Sequence, residues 1–133
     1  SLTAFAPEVT QLKKLTRRVF RDRRPWSFAK IYVLSEAAAS LTDDDIKRYP
    51  MFRLMREKAG YELKDVDIAL QAQVPTPEVR NALEIDPLVP VMCFNGTLSD
   101  INGRVLNVLE IYYRGDRFTA QFHFDLQKPQ PAV

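Results

Sequence analysis

Tyr112-Tyr113-Arg114-Gly115-Asp116-Arg117-Phe118 stands between two runs of alternating character, and reading that junction decides the fold. Before it, residues 105–113 carry the β-branched and aromatic side chains of a strand. After it, Phe118, Ala120, Phe122 and Phe124 alternate with Arg117, Thr119, Gln121, His123 and Asp125, which predicts a further strand with one face on a core. A glycine at such a junction lets the chain kink or bulge. Asp116 can accept backbone N–H groups at the bend, with Arg114 and Arg117 beside it for pairing. Arg114, Gly115 and Asp116 therefore read as a structural corner. Tyr112 and Tyr113 point to opposite faces, so one can pack while the other reaches a cavity.

Working backward, Asn102-Gly103 predicts a tight hairpin, because both central residues of a type I′ turn need positive φ. It joins the 105–113 strand to one over residues 89–98. In 66–74, Val66, Ile68, Leu70, Ala72 and Val74 alternate with polar or small residues, the pattern of a half-buried strand. Thr76-Pro77-Glu78 opens a helix by the logic of cap, proline and acid, ending near Ile85. Thr42 followed by Asp43, Asp44 and Asp45 opens another; the three carboxylates suit the positive end of a helix and point in different directions, which argues against a metal cluster. Pro50 separates it from a helix in which Phe52, Met55 and Ala59 share an apolar face, widened by Met51 and Leu54, with Gly60 as its cap. Residues 26–34 (WSFAKIYVL) and 12–22 read as two strands joined at Pro25.

The order β-β-α-α-β-α-β-β-β predicts an α+β domain: an antiparallel β-sheet with helices packed on it, all on one face. Residues 1–11 are expected to be a lead-in, 12–126 the domain, and 127–133 a frayed tail.

At 133 residues, 46% hydrophobic and 27% charged, the chain can bury a core and does not resemble a disordered segment. No apolar run approaches the roughly 20 residues that cross a bilayer, so no membrane partner is expected. Lys13, Lys14, Arg17, Arg18, Arg21, Arg23 and Arg24 face only Asp22 in their segment, leaving the remainder net acidic. Such a patch could draw phosphates, although a solvated strand face beside an acidic neighbour explains it as well. Cys93, the only cysteine, makes no internal disulfide. His123, the only histidine, sits on a polar strand face without a ligand partner, so neither a metal site nor a serine triad is expected. Four glycines are too few for a nucleotide-cradling loop, and no cofactor is implied. Glu110, in an apolar strand, is a candidate perturbed acid; partnership in an ion pair is the commoner fate of such a residue. Short helices separated by strands leave no helix-turn-helix.

The closing stretch, Gly103-Arg-Val-Leu-Asn-Val-Leu-Glu-Ile-Tyr-Tyr-Arg-Gly-Asp-Arg-Phe118, resembles the end of the UTRA domain, the ligand-binding half of HutC-subgroup GntR transcription regulators, which closes on a "G-x-P-V-E" strand and "YYRGDRY-F". The resemblance runs back through Leu83-Glu-Ile-Asp-Pro-Leu-Val-Pro-Val-Met92, through 52–60 as the family's "LYxLLxExxG", and through 17–34 as its "RxR…DGxPxxxExxYLP". It implies a chorismate-lyase-like fold, a homodimer, cytoplasmic location, and a cavity whose small-molecule occupant alters DNA binding by an N-terminal winged helix-turn-helix outside this chain. Some members sense sugar phosphates and others carboxylates such as urocanate.

Residue by residue, the resemblance implies ligand contacts from Arg17, Phe52, Asn107 and Tyr113, and no catalytic residue. Arg17 matches the first arginine of the "RxR" strand, while Val19 replaces the second and Ala29 an acidic residue. Phe52 stands for the tyrosine of "LY", Pro50 or Met51 for a small hydroxyl residue, and Asn107 for the glutamate of "PVE"; Tyr113 matches. A pocket stripped of acids and hydroxyls suits a small organic anion, a carboxylate before a sugar phosphate, paired with Arg17. Two other readings remain open: a chorismate-lyase-like enzyme acting on a small aromatic carboxylate, since fold does not fix function, and a plain dimerisation module with an empty cavity.

Overall fold

The structure is a computed structural model that describes residues 2–127. Residues 128–133, most of the stretch read as a frayed tail, lie outside the described residues. Five strands, β1 (Leu12–Arg21), β2 (Arg24–Leu34), β3 (Leu63–Gln73), β4 (Val91–Asp100) and β5 (Val105–Arg114), form one sheet in the order β1-β2-β5-β4-β3. Every pairing is antiparallel. Between β2 and β3 lie α1 (Ser35–Ala38), α2 (Asp43–Arg48) and α3 (Met51–Glu57); α4 (Pro77–Leu83) connects β3 to β4. The α+β architecture expected above is the one observed.

The helices occupy both faces of the sheet, not one. Register and alternation put Arg17, Ala29, Ile31, Asn107, Leu109, Gly96 and Ile68 on one face, where Ile46, Met51, Leu54 and Met55 of α2 and α3 are buried. On the other face Val79 and Leu83 of α4 pack on Phe28, Val91 and Tyr112. The cause lies in β2 and β5, the inner strands. Ile31 and Val33 bury on one side and Phe28 and Leu34 on the other, so the centre of the sheet needs cover twice. Each such side chain contributes about 1.5–3 kcal/mol when fully buried. Ahead of β1, a 3-10 turn (Leu2–Ala4) brings Phe5 into the core, 6% exposed.

Helix α2 starts as its sequence predicts. Thr42 Oγ1 accepts the Asp45 N–H and the Asp45 carboxylate accepts the Thr42 N–H, both at 3.0 Å, a reciprocal capping box. Asp45 also accepts from Lys58 Nζ at 2.8 Å, which ties the start of α2 to the end of α3. Gly60, at φ +76°, closes α3, and Tyr61 N–H reaches back to Met55 O at 2.9 Å. The apolar face of α3 is Met51, Leu54 and Met55; Phe52, predicted on it, is 52% exposed. Positions 51, 54 and 55 are one turn apart, whereas 52 is rotated about 100° from 51.

Three further expectations change. Of Asn102 and Gly103, only Gly103 has positive φ, because Asp100 Oδ1 accepts both Asn102 N–H and Arg104 N–H and holds a wider turn. The tight turn with two left-handed residues lies instead between β1 and β2, at Asp22 (φ 50°) and Arg23 (φ 65°). Residues 117–125 form no strand, and Phe122 and Phe124 are 70% and 57% exposed. The apolar positions of β3 are likewise open rather than half-buried, Val66 at 51% and Ile68 at 56%. Both stretches alternate correctly but lack an element to cover them.

Gly115 owes its place to a close approach and not to a left-handed backbone. Its N–H donates to Pro90 O at 2.7 Å, and a Cβ there would sit 2.6 Å from that oxygen. Arg114 Nε and Nη2 bind Asp116 at 3.0 and 2.8 Å, completing the corner.

Gly115→Ala is therefore expected to lower the unfolding free energy by about 1–3 kcal/mol, measured by urea denaturation; an unchanged midpoint would contradict the close approach. Lys58 first, then the Thr42 N–H, hold the Asp45 carboxyl below the usual carboxylate range. Its folded pKa lies below its unfolded one, so this contribution is present above the unfolded value and lost as pH falls through the folded one. Asp45→Asn should be less stable than the parent near neutral pH and converge on it as pH falls below the folded-state value of the carboxyl. A gap that stays constant with pH would refute the assignment.

Candidate functional site

Between the α2–α3 corner and the sheet lies a cavity of about 500 Å³. Ile46, Tyr49, Pro50, Met51 and Phe52 form its helical side. Ile31, Leu109, Phe94, Gly96 and Leu98 form its floor, and Val66 and Ile68 of the edge strand its open flank. Gly96 is buried in β4 with no side chain to fill the space above it, and so deepens the floor.

Arg17 enters from β1. Its Nη1 donates to the carbonyls of Ile46 and Lys47 at 3.4 and 3.2 Å, placing a positive charge at the negative end of α2. Its Nε is buried and finds no acceptor among the described residues. An unpaired buried donor of this kind costs about 1–3 kcal/mol. With Nη1 on the helix and Nε enclosed, Nη2 is the guanidinium nitrogen left to meet an anion. Arg48 is the other charged side chain on the wall and pairs with Asp44 at 3.1 Å. Among the described residues no carboxylate, histidine or cysteine lines the cavity.

Asn107, 3% exposed, rises from β5 at the opposite end. Its Nδ2 donates to Tyr32 O at 3.0 Å and to Val108 O at 3.4 Å. Both acceptors are carbonyls, so the nitrogen must face them and the amide oxygen is the acceptor left for the cavity.

Arg17, Phe52 and Asn107 thus line one space, with Phe52 at its mouth. Tyr113 does not join them. It shares their sheet face but lies at the far end of β5, paired with Ser27 and Met92 and covered by Phe118, whose ring centroid is 4.9 Å away. Burial pushes its phenol pKa up, against the opposing pull of Arg17 and Arg21.

A family model for the UTRA domain matches residues 5–119. The chain belongs to the UTRA domain family. This membership makes effector binding in transcription regulation its role. Three solved structures are similar to this UTRA domain in fold. A GntR-family transcriptional regulator from Enterococcus faecalis V583 is 17% identical, with 90% of this chain and 84% of that one covered at a TM-score of 0.76. The C-terminal domain of the histidine utilization repressor from Pseudomonas syringae pv. tomato str. DC3000 is 13% identical, with 80% and 73% covered at 0.69. The effector domain of PhnF from Mycobacterium smegmatis is 18% identical, with 85% and 70% covered at 0.67. The chorismate-lyase-like α+β fold implied by the resemblance is thus the fold of this UTRA domain. Among curated proteins no sequence matches the chain.

Sequence reasoning missed Tyr49, Arg48 and Gly96. An isolated glycine in an apolar strand was a usable sign of open space or close approach; nothing in the sequence alone aims Tyr49 or Arg48 at the sheet. Glu110, the candidate acid, belongs to the other face. It accepts from Tyr112 Oη at 3.0 Å. Beside it in the sheet is Lys30, which pairs with Glu78 of α4. Burial would lower the Lys30 pKa, but the Glu78 carboxylate outweighs it and the net shift is upward. Burial, then the charge of Glu110, push the Tyr112 phenol above its ordinary value. These residues form a structural polar cluster under α4. Among the described residues no His/Cys/Asp/Glu group could hold a metal, and no helix is long and apolar enough to cross a membrane.

Filling the floor tests the cavity directly. A Cβ at Gly96 would meet the Phe94 ring at 3.4 Å and Leu109 Cβ at 4.0 Å, ordinary contacts. Gly96→Val should fold, yet bind the anionic fluorophore anilinonaphthalene sulfonate at least about tenfold more weakly, by fluorescence titration. Equal affinity in a folded variant would mean that probes bind elsewhere.

Proposed function

We propose that this UTRA domain senses a small organic anion with a largely hydrocarbon body, a carboxylate in preference to a sugar phosphate. One observation carries the reading: among the described residues the wall of the cavity is apolar except at Arg17, Arg48, Tyr49 and Asn107, and the charges on it are positive. A sugar phosphate presents several hydroxyls, each of which needs a partner when desolvated. This cavity offers few, and no acidic group among them. The carboxylate pairs with the Arg17 guanidinium, and the Asn107 amide oxygen accepts from a hydroxyl or N–H elsewhere on the ligand. Phe52 closes on the hydrocarbon part, and Tyr113 stands behind Phe118, outside the contact shell.

Binding of that anion alters DNA affinity through a DNA-binding domain outside this chain, in a homodimeric regulator of the cytoplasm. The fold also accommodates an enzyme, but a wall without carboxylate, histidine or cysteine supports binding and not lyase chemistry.

The decisive experiment is a thermal-shift screen of aromatic and aliphatic carboxylates beside hexosamine phosphates, followed by calorimetry on the hits. Carboxylates should raise the melting temperature. Arg17→Lys, which keeps the charge but loses the planar fork, should weaken the best of them about 10–100-fold while leaving the ligand-free melting temperature near that of the parent. Stabilisation by hexosamine phosphates alone, with Arg17→Lys without effect, would overturn the proposal.

A further inference from the structure

Strand β1 and the turn after it carry seven basic residues between Lys13 and Arg24 against Asp22 alone, while the rest of the chain is net acidic. The fold divides these charges into two groups. Lys13 pairs with Asp43, Arg18 with Glu84, and Arg17 donates to the last carbonyls of α2. Lys14 lies over the Tyr32 ring. Those four hold the domain together. Arg21, Arg23 and Arg24 remain, all exposed, and none of them has a carboxylate partner among the described residues.

The three meet at one point. Arg21 and Arg24 face each other as the last pair of the β1–β2 hairpin, and Arg23 stands in the turn between them. At φ 65°, Arg23 holds a left-handed position that glycine or asparagine fits with less strain. A long cation kept at an apex that the backbone disfavours is a mark of a side chain used for recognition. Arg21 lies over Trp26, its guanidinium 4.3 Å from the ring. Such stacking takes up the flat face of a guanidinium and leaves its N–H edge available to an anion. Phe20, 49% exposed, flanks the tip, with Arg18 over its ring at 5.0 Å.

We propose that this hairpin tip is a nucleic-acid contact in its own right: Arg21, Arg23 and Arg24 hold phosphates of duplex DNA, without regard to base sequence. Charge density favours a duplex over an acidic protein surface. Duplex DNA carries one negative charge about every 1.7 Å of its axis, so three guanidiniums crowded on one tip can each meet a phosphate. Carboxylates on a protein repel one another and seldom stand so close. Elsewhere the net acidic chain repels a polyanion, which leaves the tip as the point of approach. A domain joined ahead of β1 enters near Leu12, about 30 Å along the strand from Arg21, so this contact adds to that domain's own. With that domain on its operator, the tether holds the tip near neighbouring phosphates at an effective concentration of about 1 mM, and a weak contact suffices. Only the tethering rests on the chain's role in a DNA-bound regulator; affinity of the tip for duplex belongs to this chain by itself.

The test is fluorescence anisotropy of this chain with a labelled duplex of arbitrary sequence, roughly 30 base pairs long, from about 50 mM salt upward. The parent should bind, and log Kd should rise with log salt at a slope of about 2–3, the count expected for three phosphates. Arg21→Gln with Arg23→Gln and Arg24→Gln alters exposed side chains, so circular dichroism should show the parent fold while Kd rises at least about tenfold. Lys47→Gln with Arg56→Gln and Lys64→Gln removes the same charge elsewhere and should keep the slope, with Kd within about threefold of the parent. Arg23→Gly, which suits the left-handed backbone, should melt no lower than the parent and yet reduce the slope by about 1. A parent that does not bind, a tip variant that binds as the parent does, or equal losses in the two triple variants would overturn the contact. So would polyglutamate that displaces the labelled duplex as well as unlabelled duplex does, a result that assigns the tip to an acidic protein instead.

Discussion

Strands β2 and β5 come from distant parts of the chain, and their pairing, from Ser27 opposite Tyr113 to Val33 opposite Asn107, joins two pieces that could not stand apart. One piece is the β1–β2 hairpin; the other is β3, β4 and β5. A hairpin alone is marginal in water, and each piece without the other would leave Ile31, Val33, Leu106 or Val108 facing solvent. The seam is buried on both faces, so any polar group in it must be satisfied. Asn107 meets that condition by donating across the seam to the Tyr32 carbonyl. The same bond turns its oxygen to the cavity, so the residue that helps close the sheet also shapes the recognition surface.

The charges of β1 extend this coupling between scaffold and site. Lys13 pairs with Asp43 at 2.5 Å and Arg17 reaches the end of α2, both on the cavity face. Arg18, the next residue, points the other way, to Glu84 at 3.6 Å and the Ala82 carbonyl at 3.4 Å, near the end of α4. What reads in sequence as a basic patch is in part a set of clamps, one helix to each face. Exposed ion pairs contribute little singly; here they fix where helices end against an edge strand.

Period-2 alternation located β3, because a strand writes its two faces into every second residue, while β-branched and aromatic content located β2 and β5 and the Asn102-Gly103 signal set β4 beside β5. Alternation names a face, however, and not what lies against it. Hence residues 117–125 read as a strand although no neighbour pairs with them, and β3 read as half-buried although it is open. The unbroken apolar run of β2 was the available sign that both faces are covered; it was read only as strand propensity. Asn102-Gly103 carried the right turn signal, but the side chain of Asp100, two positions earlier, decided its geometry. In the site, Arg17 and Asn107 were reachable from the family pattern and the shared face. Tyr113 satisfied both criteria and still lies about 20 Å from Asn107 along β5, because periodicity is silent on distance along the strand.

Cys93, one strand away from the seam, is 1% exposed and sits against Tyr112 and Asn95 under α4. Burial, then the charge of Glu110, raise its thiol pKa, so the resting protein keeps it both hidden and protonated. Thiol reagents attack the deprotonated form and need access. The single cysteine therefore works as a built-in clock: its rate of labelling counts how often the centre of the sheet breathes open, with no second thiol to confuse the record. Anything that tightens the molecule, whether a bound anion or a second copy, would slow that clock without touching the residue itself.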